Sequence, residues 1–158
     1  MCQELSEKIR KSFSDAVVLT FQKTALVACA PVADLPGNNE RAFDYSAVIG
    51  FSGDIAGSCV LRMSIQTACE AVARFCGERV DDLWKISDGV GELVNMIAGN
   101  AKATLSNFRM SLSFPEVVRG KGHDIGFRRN ADLVELNFGS EIGDISVIVA
   151  YFDPVKKN

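Results

Sequence analysis

One long amphipathic segment in the second half of the chain constrains the fold most strongly. Between Leu83 and Leu105, apolar residues recur at helical spacing and form one continuous apolar side. That side comprises Leu83, Ile86, Val90, Leu93, Val94, Ile97, Ala101 and Leu105. A side of this length must lie against a substantial core. The pattern predicts a helix that Asp81 or Asp82 caps at its start and that runs to Asn107.

The opposite side of the same predicted helix carries a narrow polar line. The line consists of Asp88, Glu92, Asn95, Gly99 and Ser106. Glu92 and Asn95 are three residues apart and are therefore neighbours on a helix surface. Gly99 follows one turn later and leaves a notch beside Asn95, where another backbone or a ligand can approach closely.

Residues that disfavour helices are concentrated in this segment. They are Gly89, Gly91, Asn95, Gly99 and Asn100, and each costs up to ~1 kcal/mol relative to alanine. A Glu-x-x-Asn pair is ordinarily a solvated helix face. The concentration of residues that disfavour helices instead indicates a helix whose stability is reduced so that another backbone or a ligand can approach its polar line.

The remaining segments predict two further helices and a set of hairpin-connected strands. The predicted helices are Leu5–Gln22 and Ile65–Cys76, the second capped by Gly77. The predicted strands are Leu26–Leu35 before the turn Pro36–Glu40, Tyr45–Ser52 and Ile55–Ser64 around Gly53-Asp54, Phe114–Arg119, Asp124–Phe127, Ala131–Phe138 and Asp144–Phe152. This order predicts an α+β fold: a mainly antiparallel sheet with an N-terminal helix, a second helix and the long helix that carries the polar line. We expect a single domain over residues 1–158, with a frayed tail at 154–158.

Composition excludes several classes of function. The chain has 158 residues, 17 Lys and Arg, and 20 Asp and Glu, so its net charge of −3 offers no basic field for nucleic acid or an anionic membrane. A single histidine, His123, excludes multi-histidine metal sites. We find no targeting segment and no apolar stretch of membrane-spanning length, and we expect a cytoplasmic protein whose five cysteines are reduced.

Other motifs favour structural roles. His123-Asp124 could suggest a hydrolytic triad, but no nucleophile motif accompanies the pair, which favours a turn histidine. Gly120-Lys121-Gly122 lacks the spacing of a phosphate loop and predicts a tight turn. Cys69 and Cys76 share one helix face and are expected in the core. Trp84 lies on the same helical surface as Asn95, three turns away, and is either a contact at the rim of the polar line or a satellite of the core, which we favour.

Three ordered motifs resemble those of the CheX/CheC/FliY family of chemotaxis phosphatases. The long helix contributes Asp88-Gly-Val-Gly-Glu-Leu-Val-Asn-Met-Ile-Ala-Gly-Asn-Ala-Lys102. Ile49-Gly-Phe-Ser-Gly-Asp-Ile-Ala-Gly-Ser58 resembles the family's central hairpin, and Pro115-Glu-Val-Val-Arg-Gly-Lys-Gly-His123 resembles the strand and turn after the helix. The signature occurs once, and the N-terminal helix offers only Glu7-x-x-Arg10, which resembles the single-site CheX type.

The resemblance implies a phosphatase that hydrolyses the aspartyl phosphate of a CheY-like response-regulator receiver domain. It implies catalytic roles for Asn95, which would position the attacking water, and Glu92, which would pair with a receiver lysine. Asp88, Gly99 and Ser106 would contact the partner. The resemblance also implies a homodimer joined through sheet edges. We expect no metal on this chain, with Mg²⁺ held by the acidic residues of the receiver domain. The alternative is a non-catalytic module that binds a receiver domain or a flagellar or signalling partner.

Overall fold

The fold is α+β, as predicted. A computed structural model describes residues 2–33 and 43–155, and within these ranges it contains three helices and a seven-stranded sheet. The helices are α1 (Cys2–Thr24), α2 (Ile65–Cys76) and α3 (Leu83–Thr104). The strands are β1 (Ala30–Val32), β2 (Tyr45–Gly53), β3 (Ala56–Met63), β4 (Met110–Leu112), β5 (Glu116–Arg119), β6 (Asp132–Gly139) and β7 (Ile145–Phe152).

The sheet is antiparallel between all its described neighbours, in the order β1-β6-β7-β3-β2-β4. β5 also pairs with β2, so that β5 and β4 lie along successive halves of the same strand. Alternate residues of the central strands point into one core, where the three helices cover the sheet. α3 packs on β2 and contacts both other helices.

Local signals at the helix ends explain why several predicted boundaries are confirmed. The Ser64 side chain accepts a hydrogen bond from the Thr67 backbone N–H, and Gly77 takes a left-handed conformation (φ 72°) after α2. The Asp82 side chain accepts from the Trp84 backbone N–H at 2.8 Å and so begins α3. The predicted extension of α3 to Asn107 is wrong, because the helix ends at Thr104.

The predicted strand Asp124–Phe127 is wrong. Residues 123–128 have no strand pairing, and side chains from this segment lie over the sheet face that points away from the helices. There the Ser46 Oγ and His123 Nε2 atoms lie 2.7 Å apart, while the His123 Nδ1 donates to the Gly120 carbonyl. These bonds satisfy the ring as expected for a turn histidine, since a buried side-chain hydroxyl and a carbonyl occupy its two nitrogens.

Several residues predicted in the core are exposed. Trp84 is 73% exposed and Leu83 is 47% exposed, so the core does not cover these two side chains in the first turn of α3. Cys76 is also exposed, since α2 buries a side formed by Thr67, Ala68, Ala71 and Val72.

Burial raises the pKa of the Cys29 thiol to about 11 and that of Cys59 to about 12.

Some predictions concern residues that lie outside the described ranges. These are the end of the predicted strand Leu26–Leu35, the turn Pro36–Glu40 and the last three residues of the predicted tail. Among residues 2–33 and 43–155, no helix combines the length and the apolar character that a membrane span requires.

The C-terminal end of α1 contains the one non-glycine residue with positive φ in the described ranges. Leu26 has φ of 53° and is 81% exposed, while the N–H groups of Ala25 and Val27 both donate to the Phe21 carbonyl. A left-handed conformation costs an L-residue about 1–2 kcal/mol. The exposed side chain recovers little of that cost through burial.

We therefore expect Leu26→Gly to raise the free energy of unfolding by up to about 1 kcal/mol. Relief of the left-handed strain should exceed the added entropy of a glycine in the unfolded chain, about 0.4–1 kcal/mol. Urea denaturation followed by circular dichroism measures the difference. A lower midpoint for the variant would show that the Leu26 side chain contributes packing that outweighs the strain.

Candidate functional site

The candidate site is the exposed side of α3. Asp88, Glu92, Asn95 and Gly99 fall within a sector of about 60° around the helix axis, at 100° per residue. We call these four residues the acid–amide surface. Asp88 and Glu92 are exposed, whereas Asn95 and Gly99 are partly buried. Ser106 does not belong to this surface, because it lies in the turn after the helix end.

The side chains of the acid–amide surface are free of polar contacts with the described residues. Within the described part of the chain, no hydrogen bond or ion pair engages the side chains of Asp88, Glu92 or Asn95. A carboxylate and an amide on adjacent helical positions therefore present their acceptors and donors to solvent. The pair can accept from a cation or water and can donate to an oxyanion.

Neighbouring elements cover the two flanks of this surface. On one flank, a Cβ atom on Gly91 would lie 3.6 Å from Val117 and 3.7 Å from Pro115. On the other flank, the Asn100 amide donates to the Thr20 hydroxyl of α1 at 3.0 Å. The sector between these two contacts is the part of α3 that a partner can reach.

The unfavourable helix residues divide into two groups. A Cβ atom on Gly89 would lie 2.7 Å from both methyl groups of Val72, so this glycine permits the close approach of α2. Asn100 likewise serves packing, because its amide donates to Thr20 of α1. A Cβ atom on Gly91 would lie at ordinary van der Waals distance from Val117 and Pro115, so packing does not require this glycine. The prediction that all five residues trade stability for access is therefore wrong for Gly89 and Asn100. For Gly91, Asn95 and Gly99 it stays a prediction.

Gly99 has no packing reason to lack a side chain. A Cβ atom built there would meet no described atom within 4 Å. Since the position is a helix interior where glycine costs up to ~1 kcal/mol, local stability would favour alanine. The open space beside Asn95 is the notch that the sequence predicts.

No curated protein matches the chain. The family model described as "Chemotaxis phosphatase CheX" matches residues 45–139, which include the whole of α3 and β5. The chain belongs to the CheX family of chemotaxis phosphatases.

Solved structures agree with this membership. A CheX protein from Desulfovibrio desulfuricans is 28% identical, with a TM-score of 0.80 over 91% of this chain and 97% of that one. A CheX protein from Vibrio vulnificus is 26% identical, with a TM-score of 0.80 over 90% and 95%. The CheX–CheY–BeF₃–Mg²⁺ complex from Borrelia burgdorferi shares the fold at 22% identity, with a TM-score of 0.74 over 89% and 96%.

The CheX family assignment leaves two exposed aromatic residues beside the site unexplained. The Arg119 guanidinium lies 4.9 Å from the centre of the Trp84 ring, at the N-terminal end of α3. Phe114, between β4 and β5, is 93% exposed. The sequence left Trp84 open between a contact at the rim of the polar line and a place in the core, and no sequence signal marked Phe114.

The two alanine variants at Gly89 and Gly99 test the division of the glycines. Both changes add the same methyl group to the same helix, so both gain up to ~1 kcal/mol of helix propensity. We expect Gly99→Ala to raise the free energy of unfolding. Gly89→Ala should lower it by about 1–3 kcal/mol, because the new methyl group overlaps the β-branched Val72.

Chemical denaturation of both variants measures these opposite signs. If Gly89→Ala is as stable as the parent, α2 can shift away from α3 without cost. The glycine would then have no role in the packing of the two helices.

Proposed function

We propose that this protein hydrolyses the aspartyl phosphate of a CheY-like response-regulator receiver domain. The observation that carries the proposal is the pair Glu92 and Asn95. These side chains are adjacent, accessible to solvent and without a partner among residues 2–33 and 43–155, and they stand beside an open glycine in the stretch that matches the CheX family. The complex of CheX with CheY from Borrelia burgdorferi, which has the same fold, supports the choice of partner.

The hydrolysis requires few catalytic groups from this chain. In the hydrolysis, a water oxygen bonds to phosphorus, the bond from phosphorus to the aspartate oxygen breaks, and the aspartate leaves as a carboxylate. The protons of the water go to the departing phosphate and to solvent. Because an acyl phosphate is already activated and the transition state is loose, catalysis needs mainly a water held in line.

Asn95 suits the positioning of that water. Its amide oxygen accepts from the water, and its amide nitrogen donates to a phosphoryl oxygen. The amide does not titrate, so it orients the water without acting as a base. The helix already fixes the Asn95 backbone, so only the side-chain rotamers lose entropy when the amide makes these contacts.

Glu92 suits docking rather than nucleophilic attack. A carboxylate would approach a phosphoryl group against like charge, whereas it pairs favourably with a lysine of the receiver domain. Asp88, one turn earlier, adds a second exposed carboxylate for the same partner. Gly99 gives room for the receiver backbone next to Asn95, and Ser106 can contribute only from the turn beyond the helix.

Two further features belong to the same proposal. Mg²⁺ would be held by the acidic residues of the receiver domain, where it neutralises the phosphoryl charge. Within the described ranges, this chain has no group of three or more His, Cys, Asp or Glu side chains that could hold a metal ion. The active species would be a homodimer joined through sheet edges, which sedimentation of the purified protein tests.

Asn95→Ala is the decisive variant. We expect kcat to fall about 10²-fold or more while affinity for the phosphorylated receiver domain stays nearly unchanged, because the lost contact acts mainly in the transition state. Asn107→Ala is the matched control, since it removes an exposed amide beyond the helix end. Decay of receiver phosphorylation at saturating and subsaturating substrate gives kcat and KM separately.

The outcome also separates an enzyme from a binding module. If Asn95→Ala hydrolyses as fast as the parent, the water-positioning role is wrong. If the parent binds the receiver domain without any turnover, the non-catalytic module replaces the phosphatase.

Glu92→Gln should act on binding instead. Loss of an exposed ion pair should raise KM about two- to fivefold at low salt, and the effect should shrink when salt shortens the screening length. Glu7→Gln on the exposed side of α1 is the control with the same change in net charge. A KM increase that is equal at low and high salt would contradict an ion-pairing role for Glu92.

A further inference from the structure

A β-bulge between β4 and β5 lies next to the acid–amide surface. Phe51 of β2 pairs with Leu112, and Val48 pairs with Glu116. Three residues, 113–115, therefore stand opposite two residues of β2, 49–50. One extra residue in one strand is the defining feature of a bulge, and bulges re-aim side chains.

The bulge turns two consecutive residues, Phe114 and Pro115, toward the helix side of the sheet. Leu112 and Val117 both pack on the helix side, although they are an odd number of residues apart. Strict alternation from Leu112 places Phe114 on that side, and alternation back from Val117 places Pro115 there too. Without the extra residue, one of the pair would face the opposite side of the sheet.

The contacts of the β5 segment place Phe114 near Asn95 along the helix. Arg119 meets Trp84 in the first turn of α3, while Val117 and Pro115 meet Gly91. The segment thus runs antiparallel to α3. Phe114 precedes Pro115 by one residue. Because the two elements are antiparallel, Phe114 lies beside the turn of α3 that follows Gly91, and this turn contains Asn95.

The backbone around Phe114 is held on both sides. The Ser113 N–H donates to the Gly50 carbonyl, the Ser113 hydroxyl oxygen accepts from the Gly50 N–H, and both distances are 2.9 Å. On the other side, Pro115 packs at Gly91. Phe114 is 93% exposed on a backbone that is already fixed, so a partner that covers it must order only the side chain.

Trp84 is held in a similar way at the far end of the surface. Its backbone N–H donates to the Asp82 side chain, and the Arg119 guanidinium lies over its ring. Trp84 lies 11 residues before Asn95, or about 16 Å at 1.5 Å per residue. A partner of standard size covers about 800 Å², so a footprint centred on Asn95 reaches about 16 Å in each direction. Phe114 falls well inside this footprint and Trp84 falls at its rim.

We propose that Phe114 is the main apolar anchor for the receiver domain and that Trp84 is a weaker contact at the edge of the same interface. This inference rests on the proposed function, because the receiver domain is the occupant it names. A surface phosphoryl site has no walls of its own, so the partner must exclude water around it. Phe114 beside Asn95 provides the apolar contact that does so.

Phe114→Ser tests the anchor. We expect about a 5- to 30-fold increase in KM, and in Kd for a receiver domain that carries beryllofluoride and Mg²⁺ in place of the phosphoryl group, with kcat nearly unchanged. Trp84→Ser should raise both constants about two- to fivefold. The range for Phe114 corresponds to about 1–2 kcal/mol, at 1.4 kcal/mol per tenfold.

Leu133→Ser is the matched control. Leu133 is 56% exposed, and its neighbour Val134 is buried in the core, so Leu133 points to the sheet face away from the helices. The control should leave KM, Kd and kcat at parent values. Circular dichroism and sedimentation of all three variants report folding and oligomeric state.

The outcomes distinguish this inference from the proposed function. If the parent dephosphorylates the receiver domain and Phe114→Ser matches Leu133→Ser, the anchor is wrong and the function stands. If Phe114→Ser changes the oligomeric state but not receiver affinity, the anchor belongs to a contact between copies and the inference is overturned. If the parent neither binds nor dephosphorylates any receiver domain, both are overturned.

Discussion

Close packing of α3 on three of its sides is the constraint on which the rest of the structure depends. The sheet lies beneath the helix, α2 approaches it at Gly89, and the β5 segment approaches it at Gly91. Gly89 replaces a side chain that would hold α2 away, because a Cβ atom there would overlap Val72. One sector of the helix is left open as a result, and the acid–amide surface occupies it.

The sequence predicted those features that have a local cause. The boundaries of α2 follow from Ser64 and Gly77, and the start of α3 follows from Asp82, because capping residues act within a few positions of a helix end. The order Glu92, Asn95, Gly99 on one exposed side follows from helical periodicity. These predictions required no knowledge of the rest of the fold.

Two of the predictions that failed did so because they depend on parts of the chain distant in sequence. Trp84 is different, because eleven residues at 100° each place it about 20° from Asn95, on the exposed side of α3. Its exposure therefore agrees with helical periodicity and not with the expected place in the core. Residues 123–128 alternate as a strand would, yet they cross the far sheet face without pairing, held in part by the contact between Ser46 and His123. The reason for each glycine in α3 was also hidden, since Gly89 and Gly99 have identical propensities and differ only in what lies opposite them.

The placement of Glu92 and Asn95 on one turn of one helix has a consequence for how the molecule responds to damage. Their separation is set by the helical repeat and does not depend on the docking of two separate elements. A mutation in the distant core therefore cannot gradually increase the distance between Glu92 and Asn95 as long as the helix is folded. Destabilising mutations in the core should lower the fraction of molecules that are folded. The activity of each molecule that remains folded should be unchanged.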